Sequence, residues 1–264
     1  MVSDNASNQS VLRAAAVLDA FTHGRPELRV TDVAKATGLG LSTTSRLLAT
    51  LESLEFVERD PMSNLYRLGA KTITLGGIAV NQMPVHRATR QIVQNLAREH
   101  GLGANVAIRR GDRVFYVANF EGPLSPRSFT LVGQSNPLHA TGLGKSLLTG
   151  LDPAARRSLL PGPLPAFTHR TITDPTALDA ELDRIAARGY ATELEELALG
   201  RACVAAPIRG GSGEVVAALS ISGPLSAIDL THREAQLASA AIEAADAVSV
   251  SLGHHGPAAL TTFV

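Results

Sequence analysis

The chain has 264 residues, 45% of them hydrophobic, with 24 Lys/Arg against 24 Asp/Glu and a single cysteine. This is enough chain and enough apolar surface for two packed domains, while a formal net charge of zero excludes a globally basic nucleic-acid or membrane-surface binder but not a locally tuned one. One cysteine rules out an intramolecular disulfide and a thiolate metal site; with no run of about 18 apolar residues and a polar start, MVSDNASNQS, lacking an apolar signal segment, a cytoplasmic protein without a membrane partner is expected.

In chain order, a helix is predicted over about Val11 to Phe21, packing through Leu12, Ala15, Ala16 and Leu18. The stretch RVTDVAKATGLGLSTTSRLLATLESLEFVERDPMSNLYRL, from Arg29 to Leu68, then reads as a helix-turn-helix followed by a wing. Thr31 is the expected N-cap of its first helix, with Asp32 opposing the helix dipole, and Gly38 suits a left-handed helix end. Ser42 is the expected cap of a second helix with Leu47, Leu48, Leu51 and Leu54 on one face. The other face carries Thr43, Thr44 and Arg46, small hydroxyls and one Arg near a helix start, which suits insertion into a major groove. Phe56-Val57 and Tyr66-Arg67-Leu68 flank the turn-rich DPMSN, so Arg59 and Arg67 are expected near backbone phosphates. Residues 1–75 balance eight Lys/Arg against eight Asp/Glu, so tight DNA binding requires more than one copy.

Residues 70–83 are apolar and predict a connecting helix; Pro84 breaks it and opens another, to about His100, with Ile92, Val93, Leu96 and Ala97 inward. Strands follow at Ala104–Arg109 and Arg113–Phe120 around an Arg110-Gly111-Asp112 turn, with a third expected over Ser128–Val132. Asp152-Pro153 and Asp174-Pro175 each read as N-cap plus first helical residue. Tyr190–Glu193, Cys203–Arg209 and Glu214–Ser222 read as strands, the last two joined by GGSG. Thr231 and Glu234 predict a capping box for a final helix to about Leu252. The pattern implies an α+β domain with helices on one side of a mainly antiparallel sheet.

Several residues invite a catalytic reading that their context removes. HATGLGKS approaches a phosphate-binding loop, but His139 stands where its first glycine belongs and Pro137 where a buried strand would lead in. Cys203 starts an apolar strand with no base in its motif, so an inert lining or core role is expected. His139 has no metal-spaced companion and is expected to make a structural hydrogen bond; His254-His255 lies in a tail without period. Ser220 and Ser222 lack a GxSxG elbow. No catalytic residue, metal or cofactor is expected.

VTDVAKATGLGLSTTSRLLATLESLEFV, NPLHATGLGKSLL, RGYATELEELALGRACVAAPI and VVAALSISGP, in this order and spacing, resemble the isocitrate-lyase-regulator (IclR) family of bacterial transcription factors over about residues 10–252. The resemblance implies a winged helix-turn-helix over 8–70, a linker helix over 71–84, and a GAF-like effector-binding and oligomerisation domain over 85–252, leaving a tail at 253–264 expected to be disordered. It implies dimers or dimers of dimers on palindromic double-stranded operators, and a repressor of a catabolic operon released by a small organic or aromatic acid or a polar derivative. Carried over position by position, it places Gly142, Leu143, Glu193, Cys203, Ser220 and Ser222 at the effector, and Ser42, Thr43, Thr44, Arg46, Arg59 and Arg67 at the DNA. Phe115, Phe120 and Phe129 are candidates for one pocket wall.

The chain departs from the family where Gly40-Leu41 replaces a frequent Pro-Lys, removing a phosphate contact, and where Glu193 replaces a frequent Asp. A carboxylate there either accepts hydrogen bonds from a ligand or is neutralised by burial so that it can face an acid. The alternative reading is a small-molecule-binding module or enzyme whose N-terminal helices only mediate oligomerisation.

Overall fold

The computed structural model describes residues 8–125 and 130–256 and divides the chain into two compact units, one up to Gln82 and one from Met83. The first contains α1 (Gln9–Asp19), α2 (Val30–Thr37), α3 (Leu41–Ser53), β1 (Val57–Arg59), β2 (Tyr66–Leu68) and α4 (Ala70–Asn81). Val17, Phe21, Leu28, Val33, Leu48, Leu51, Val57 and Tyr66 form its core. The wing strands pair antiparallel, Glu58 opposite Arg67. Leu28 and Tyr66 exchange both backbone hydrogen bonds (2.9 and 2.8 Å), which ties the approach to α2 onto the wing. Gly69 joins wing to α4 because a Cβ there would stand 2.3 Å from the Glu55 carbonyl oxygen. No residue of α4 is buried.

The local rules misplace three features of this unit. α2 starts at Val30 with Arg29 as N-cap, and Asp32 accepts the Arg29 N–H at 3.0 Å, so Thr31 is inside the helix and does not cap it. α3 starts at Leu41 with Gly40 as N-cap, leaving Ser42 in the first turn. In α1 the inward residue is Val17, flanked by Ala14 and Leu18, whereas Leu12, Ala15 and Ala16 are exposed.

The second unit contains α5 (Pro84–His100), β3 (Gly103–Arg110), β4 (Arg113–Phe120), β5 (Ser135–Pro137), α6 (Gly142–Leu148), α7 (Pro153–Leu159), α8 (Pro175–Arg188), β6 (Ala191–Leu194), β7 (Arg201–Arg209), β8 (Val215–Pro224), α9 (Leu225–Ile228) and α10 (Leu230–Ser251). Its six strands form one antiparallel sheet in the order β5-β4-β3-β8-β7-β6. One face, with Val106, Val204, Ile208 and Leu219, packs on Val93 and Leu96 of α5 and on Leu237, Ala241 and Val248 of α10. The other, with Ala107, Tyr116, Ala205 and Ala218, packs on Leu143 and Leu147 of α6 and on Leu182 and Ile185 of α8. Helices therefore cover both faces and not one side, because the small Ala205, Ala218 and Ala191 leave room for α6 to lie close.

Asp152 and Asp174 cap α7 and α8 as the Asp-Pro pairs predict, accepting backbone N–H groups at 2.8 Å from Ala155 and at 3.2 Å from Thr176 and Ala177. The Thr231/Glu234 box does not form. α10 begins at Leu230 after Asp229, and Glu234 instead accepts the Tyr190 hydroxyl at 2.9 Å. The third strand expected over Ser128–Val132 is also absent where described. Ser128 and Phe129 lie outside the described residues, Thr130–Val132 is not a strand, and the chain turns at Gly133 (φ 84°) before pairing as β5. Of the tail, residues 257–264 lie outside the described residues; the His254 N–H still bonds Ser249 at 2.9 Å. Among the described residues no helix is long and apolar enough to cross a membrane.

Candidate functional site

On the first unit, α3 exposes Ser42 and Arg46 to solvent and Thr43 in part. Thr44 is 0% exposed, and its hydroxyl donates to the Gly40 carbonyl at 3.1 Å. It belongs to the core face, one turn before Leu48 and two before Leu51, and is not on the reading face. Arg46 has no ion-pair partner among the described residues and is free to reach a base edge or phosphate. On the wing, Arg59 donates to Asn64 Oδ1 at 2.7 Å and lies 5.7 Å over the Tyr66 ring, with no ion-pair partner among the described residues. Arg67 is paired with Glu58 at 3.2 Å and has to leave that exposed partner to meet a phosphate, a small cost for a surface pair.

On the second unit the α6-facing side of the sheet surrounds a cavity of about 150 Å³, comparable to the ~150 Å³ engineered cavity that holds benzene. Strand register builds its floor. Glu193 on β6 stands opposite Cys203 on β7, which stands opposite Ser222 on β8; Ser220 stands opposite Asn105 on β3. Period-2 alternation puts Ser220 and Ser222 on this same face. Asn105 is buried and donates from Nδ2 to Ser222 Oγ at 3.0 Å and Ser220 Oγ at 3.3 Å. Tyr116 and Asn136 are joined at 3.2 Å on the β4–β5 side, and Arg201, bonded to Ser125 at 3.2 Å, sits on the β7 side.

Glu193 is 7% exposed. One carboxyl oxygen accepts the N–H groups of Glu196 (2.6 Å) and Leu197 (3.3 Å). Burial nonetheless outweighs these bonds and pushes its pKa up to about 7, with the neighbouring Glu196 charge adding to the rise. Behind it, Lys145 (1% exposed) pairs with Glu196 at 2.5 Å, and Thr171 fixes the Glu196 carbonyl at 2.6 Å. The loop residue thus holds Glu193 through its backbone and Lys145 through its side chain. Burial, then the Glu193 charge, drives the Cys203 thiol far above its ordinary range, so it is not a nucleophile. His139 bonds the Pro165 carbonyl through Nε2 at 2.9 Å. Among the described residues no three His, Cys, Asp or Glu side chains gather as a metal site.

Of the six pocket positions carried over, Leu143, Glu193, Cys203, Ser220 and Ser222 line the cavity. Gly142 lies just behind it, where a Cβ would come within 2.6 Å of Cys203 Sγ; the same turn contributes Thr141 and Leu143 to the lining. Phe115 and Phe120 pack on the opposite face of the sheet, with the α5–α10 core; Phe129 lies outside the described residues. The polar lining residues missed are Asn105, Tyr116, Asn136, Thr141 and Arg201. An amide in the middle of the apolar run GANVAI is the signal that marks Asn105, because a buried amide in a strand needs partners.

A winged helix-turn-helix ahead of an α+β unit whose small cavity carries a few convergent polar groups is the organisation of a ligand-responsive transcriptional regulator. Residues 77–250 match the family description "Bacterial transcriptional regulator IclR C-terminal", and residues 10–61 match "IclR helix-turn-helix domain". The HTH-type transcriptional regulator XynR of Escherichia coli K12 is 34% identical over 222 residues, 84% of this chain and 88% of that protein. The glycerol operon regulatory protein of Streptomyces coelicolor is 34% identical over 249 residues, 93% of this chain and 96% of that protein. The crystal structure of an IclR transcriptional regulator from Alicyclobacillus acidocaldarius superposes with a TM-score of 0.82 at 31% identity, covering 94% of this chain and 100% of that one. The chain belongs to the IclR family of bacterial transcriptional regulators: a DNA-binding regulator with a small-molecule domain, not an enzyme.

Proposed function

We propose that the chain is a cytoplasmic repressor of a catabolic operon, binding a palindromic operator as a homodimer or dimer of dimers and released by a small organic or aromatic acid or a polar derivative of one. Residues 8–70 read the DNA, 71–84 link, and 85–252 hold the effector and the oligomer contacts. Ser42, Thr43 and Arg46 serve base edges and adjacent phosphates, and Arg59 and Arg67 the wing phosphates. The observation that carries the reading is the cavity itself, which is benzene-sized, walled largely by apolar surface such as Leu131, Leu143 and Leu197, and set with a few hydroxyl and amide groups beside Arg201. Such a site suits a compact ligand with oxygen acceptors. Regulation of a catabolic operon is supported by the name of the glycerol operon relative. Repression is relieved when the ligand binds the arrangement of lower operator affinity more tightly than the other.

The test is a mobility shift on the intergenic DNA upstream of its own gene, with small acids added, and a promoter fusion in a deletion strain. A specific complex dissolved by one acid, with promoter output raised by the deletion, is the expected result. Arg46→Ala should weaken the specific complex by roughly 10- to 100-fold, the worth of one good base contact, while leaving acid binding unchanged. A complex strengthened by the acid, with output lowered by the deletion, reverses the sign. A folded Arg46→Ala chain that binds the operator as tightly as the parent overturns the assignment of α3.

A further inference from the structure

A chain of hydrogen bonds runs from the backbone into the cavity and fixes the polarity of its floor. The Leu131 N–H donates to Asn119 Oδ1 at 3.2 Å, Asn119 Nδ2 donates to Asn105 Oδ1 at 2.9 Å, and Asn105 Nδ2 donates to both Ser222 Oγ (3.0 Å) and Ser220 Oγ (3.3 Å). A backbone N–H can only donate, so it sets the Asn119 amide one way round; that sets Asn105, which sets the two serines. Each serine oxygen already accepts, and neither hydroxyl proton has an acceptor among the described residues. Both serines line the cavity, so both protons are available to whatever occupies it. Asn119 itself does not line the cavity. It reaches this face because β4 carries a bulge: Val106 pairs with Ala118 but Ala107 with Tyr116, leaving Val117 as the extra residue. That shift turns Asn119 toward Asn105.

We propose that Asn119 and Asn105 are positioning residues that commit Ser220 and Ser222 to act as a pair of hydrogen-bond donors, so that the pocket selects a carboxylate over the matching primary amide. This rests on the small-acid reading above and specifies which atoms enforce it. A carboxylate is acceptor-only and satisfies both hydroxyls; an amide turns an NH₂ group against one of them and leaves two donors facing each other.

The test compares binding of glycolate, lactate and benzoate with binding of their primary amides, by calorimetry on the full-length chain. The parent should bind at least one acid at least tenfold more tightly than its amide, the scale of one charge-assisted hydrogen bond. Asn119→Asp keeps an oxygen for the Leu131 N–H but offers Asn105 only an acceptor. The Asn105 amide then turns over, both serines donate to its oxygen, and lone pairs face the cavity. The acid-to-amide ratio should fall tenfold or more, although the altered residue touches no ligand. In a Ser220→Ala/Ser222→Ala background the same substitution should leave the ratio nearly unchanged, which separates the relay from the added charge acting at a distance. If Asn119→Asp loses cooperative unfolding, Asn105→Asp supplies the same reversal, since its carboxylate accepts from Asn119 and from both serines. A parent that binds acids but whose ratio is unmoved by either variant overturns the relay and leaves the acid reading standing. Preference of the parent for the amides overturns the donor polarity. A parent that binds neither series overturns the acid reading and the relay with it.

Discussion

At Glu193 one side chain couples the pocket to pH. Its carboxyl is raised from 4.5 to about 7, so between those values the folded chain holds a proton that the unfolded chain has released. Folding stability therefore falls as pH rises from about 4.5 through 7, and the penalty is fully present above 7. The size is roughly 3–4 kcal/mol at most, at about 1.36 kcal/mol per pKa unit. Glu193→Gln keeps the oxygen that accepts from Glu196 and Leu197 but carries no charge to desolvate. Thermal unfolding of parent and variant across pH should show the variant melting several degrees higher near pH 8 and level with the parent near pH 5. Equal melting points at both pH values would mean that water or a counter-charge already relieves the buried carboxylate. A pKa near neutrality keeps both roles named by the sequence within reach of Glu193, proton donor to an acid and acceptor from a hydroxyl. What its neighbours do to it was not legible from sequence, because the raising groups, Glu196 and the low-polarity wall, are placed by a loop whose path Thr171 fixes.

At the scale of elements, close approach is bought by glycine. At Gly144 a Cβ would fall 2.1 Å from the Leu138 carbonyl oxygen and 2.5 Å from its Cα, and backbone cannot yield as a side chain can. Gly144→Ala should cost about 2 kcal/mol or more and loosen the start of α6, seen as a lower melting point and weaker acid binding. Gly76, mid-helix in α4 with nothing within 4 Å of a built Cβ, is the contrast. Gly76→Ala should be neutral or stabilising by roughly 0.5–1 kcal/mol. The same scale shows which elements sequence reveals. Asp152 and Asp174 were legible because cap, proline and first turn are contiguous and act locally. The starts of α2, α3 and α10 were not, because Asp32, Gly40 and Glu234 are committed by neighbours, the last by Tyr190. Thr44 read as a polar groove residue and is core, since a threonine that bonds back to the preceding turn packs as an apolar side chain. Asn119 was invisible for a different reason: strict alternation from Tyr116 places it on the far face, and one bulged residue moves it to the pocket side.

For the whole molecule, charge and exposed apolar surface make the same demand. The first unit has no excess of positive charge to hold DNA by itself, and on α3 and the wing its arginines are few: among the described residues Arg46 and Arg59 stand without carboxylate partners, and Arg67 has one. Two phosphate contacts per copy correspond to a salt slope of roughly −2 for one copy and roughly −4 for two, so specific binding at ordinary ionic strength calls for a dimer. The same unit leaves apolar side chains uncovered on α4, with Ile73 78% and Ile78 51% exposed, and on α1, with Val11 62% and Leu12 57% exposed, the composition of a surface meant to be paired. The expected outcome is a homodimer or dimer of dimers whose operator affinity falls when this surface is charged. Ile73→Lys/Ile78→Lys adds two cations to a unit that binds an anion, so a purely electrostatic account predicts tighter DNA binding. Loss of pairing predicts weaker, more concentration-dependent binding with a shallower salt slope. Sedimentation and mobility shifts on the doubly substituted chain decide between them, with acid binding to the second unit as the control for folding. A parent that sediments as a monomer while holding the operator with a slope near −4 would place all the phosphate contacts in one copy and remove the need for the pair.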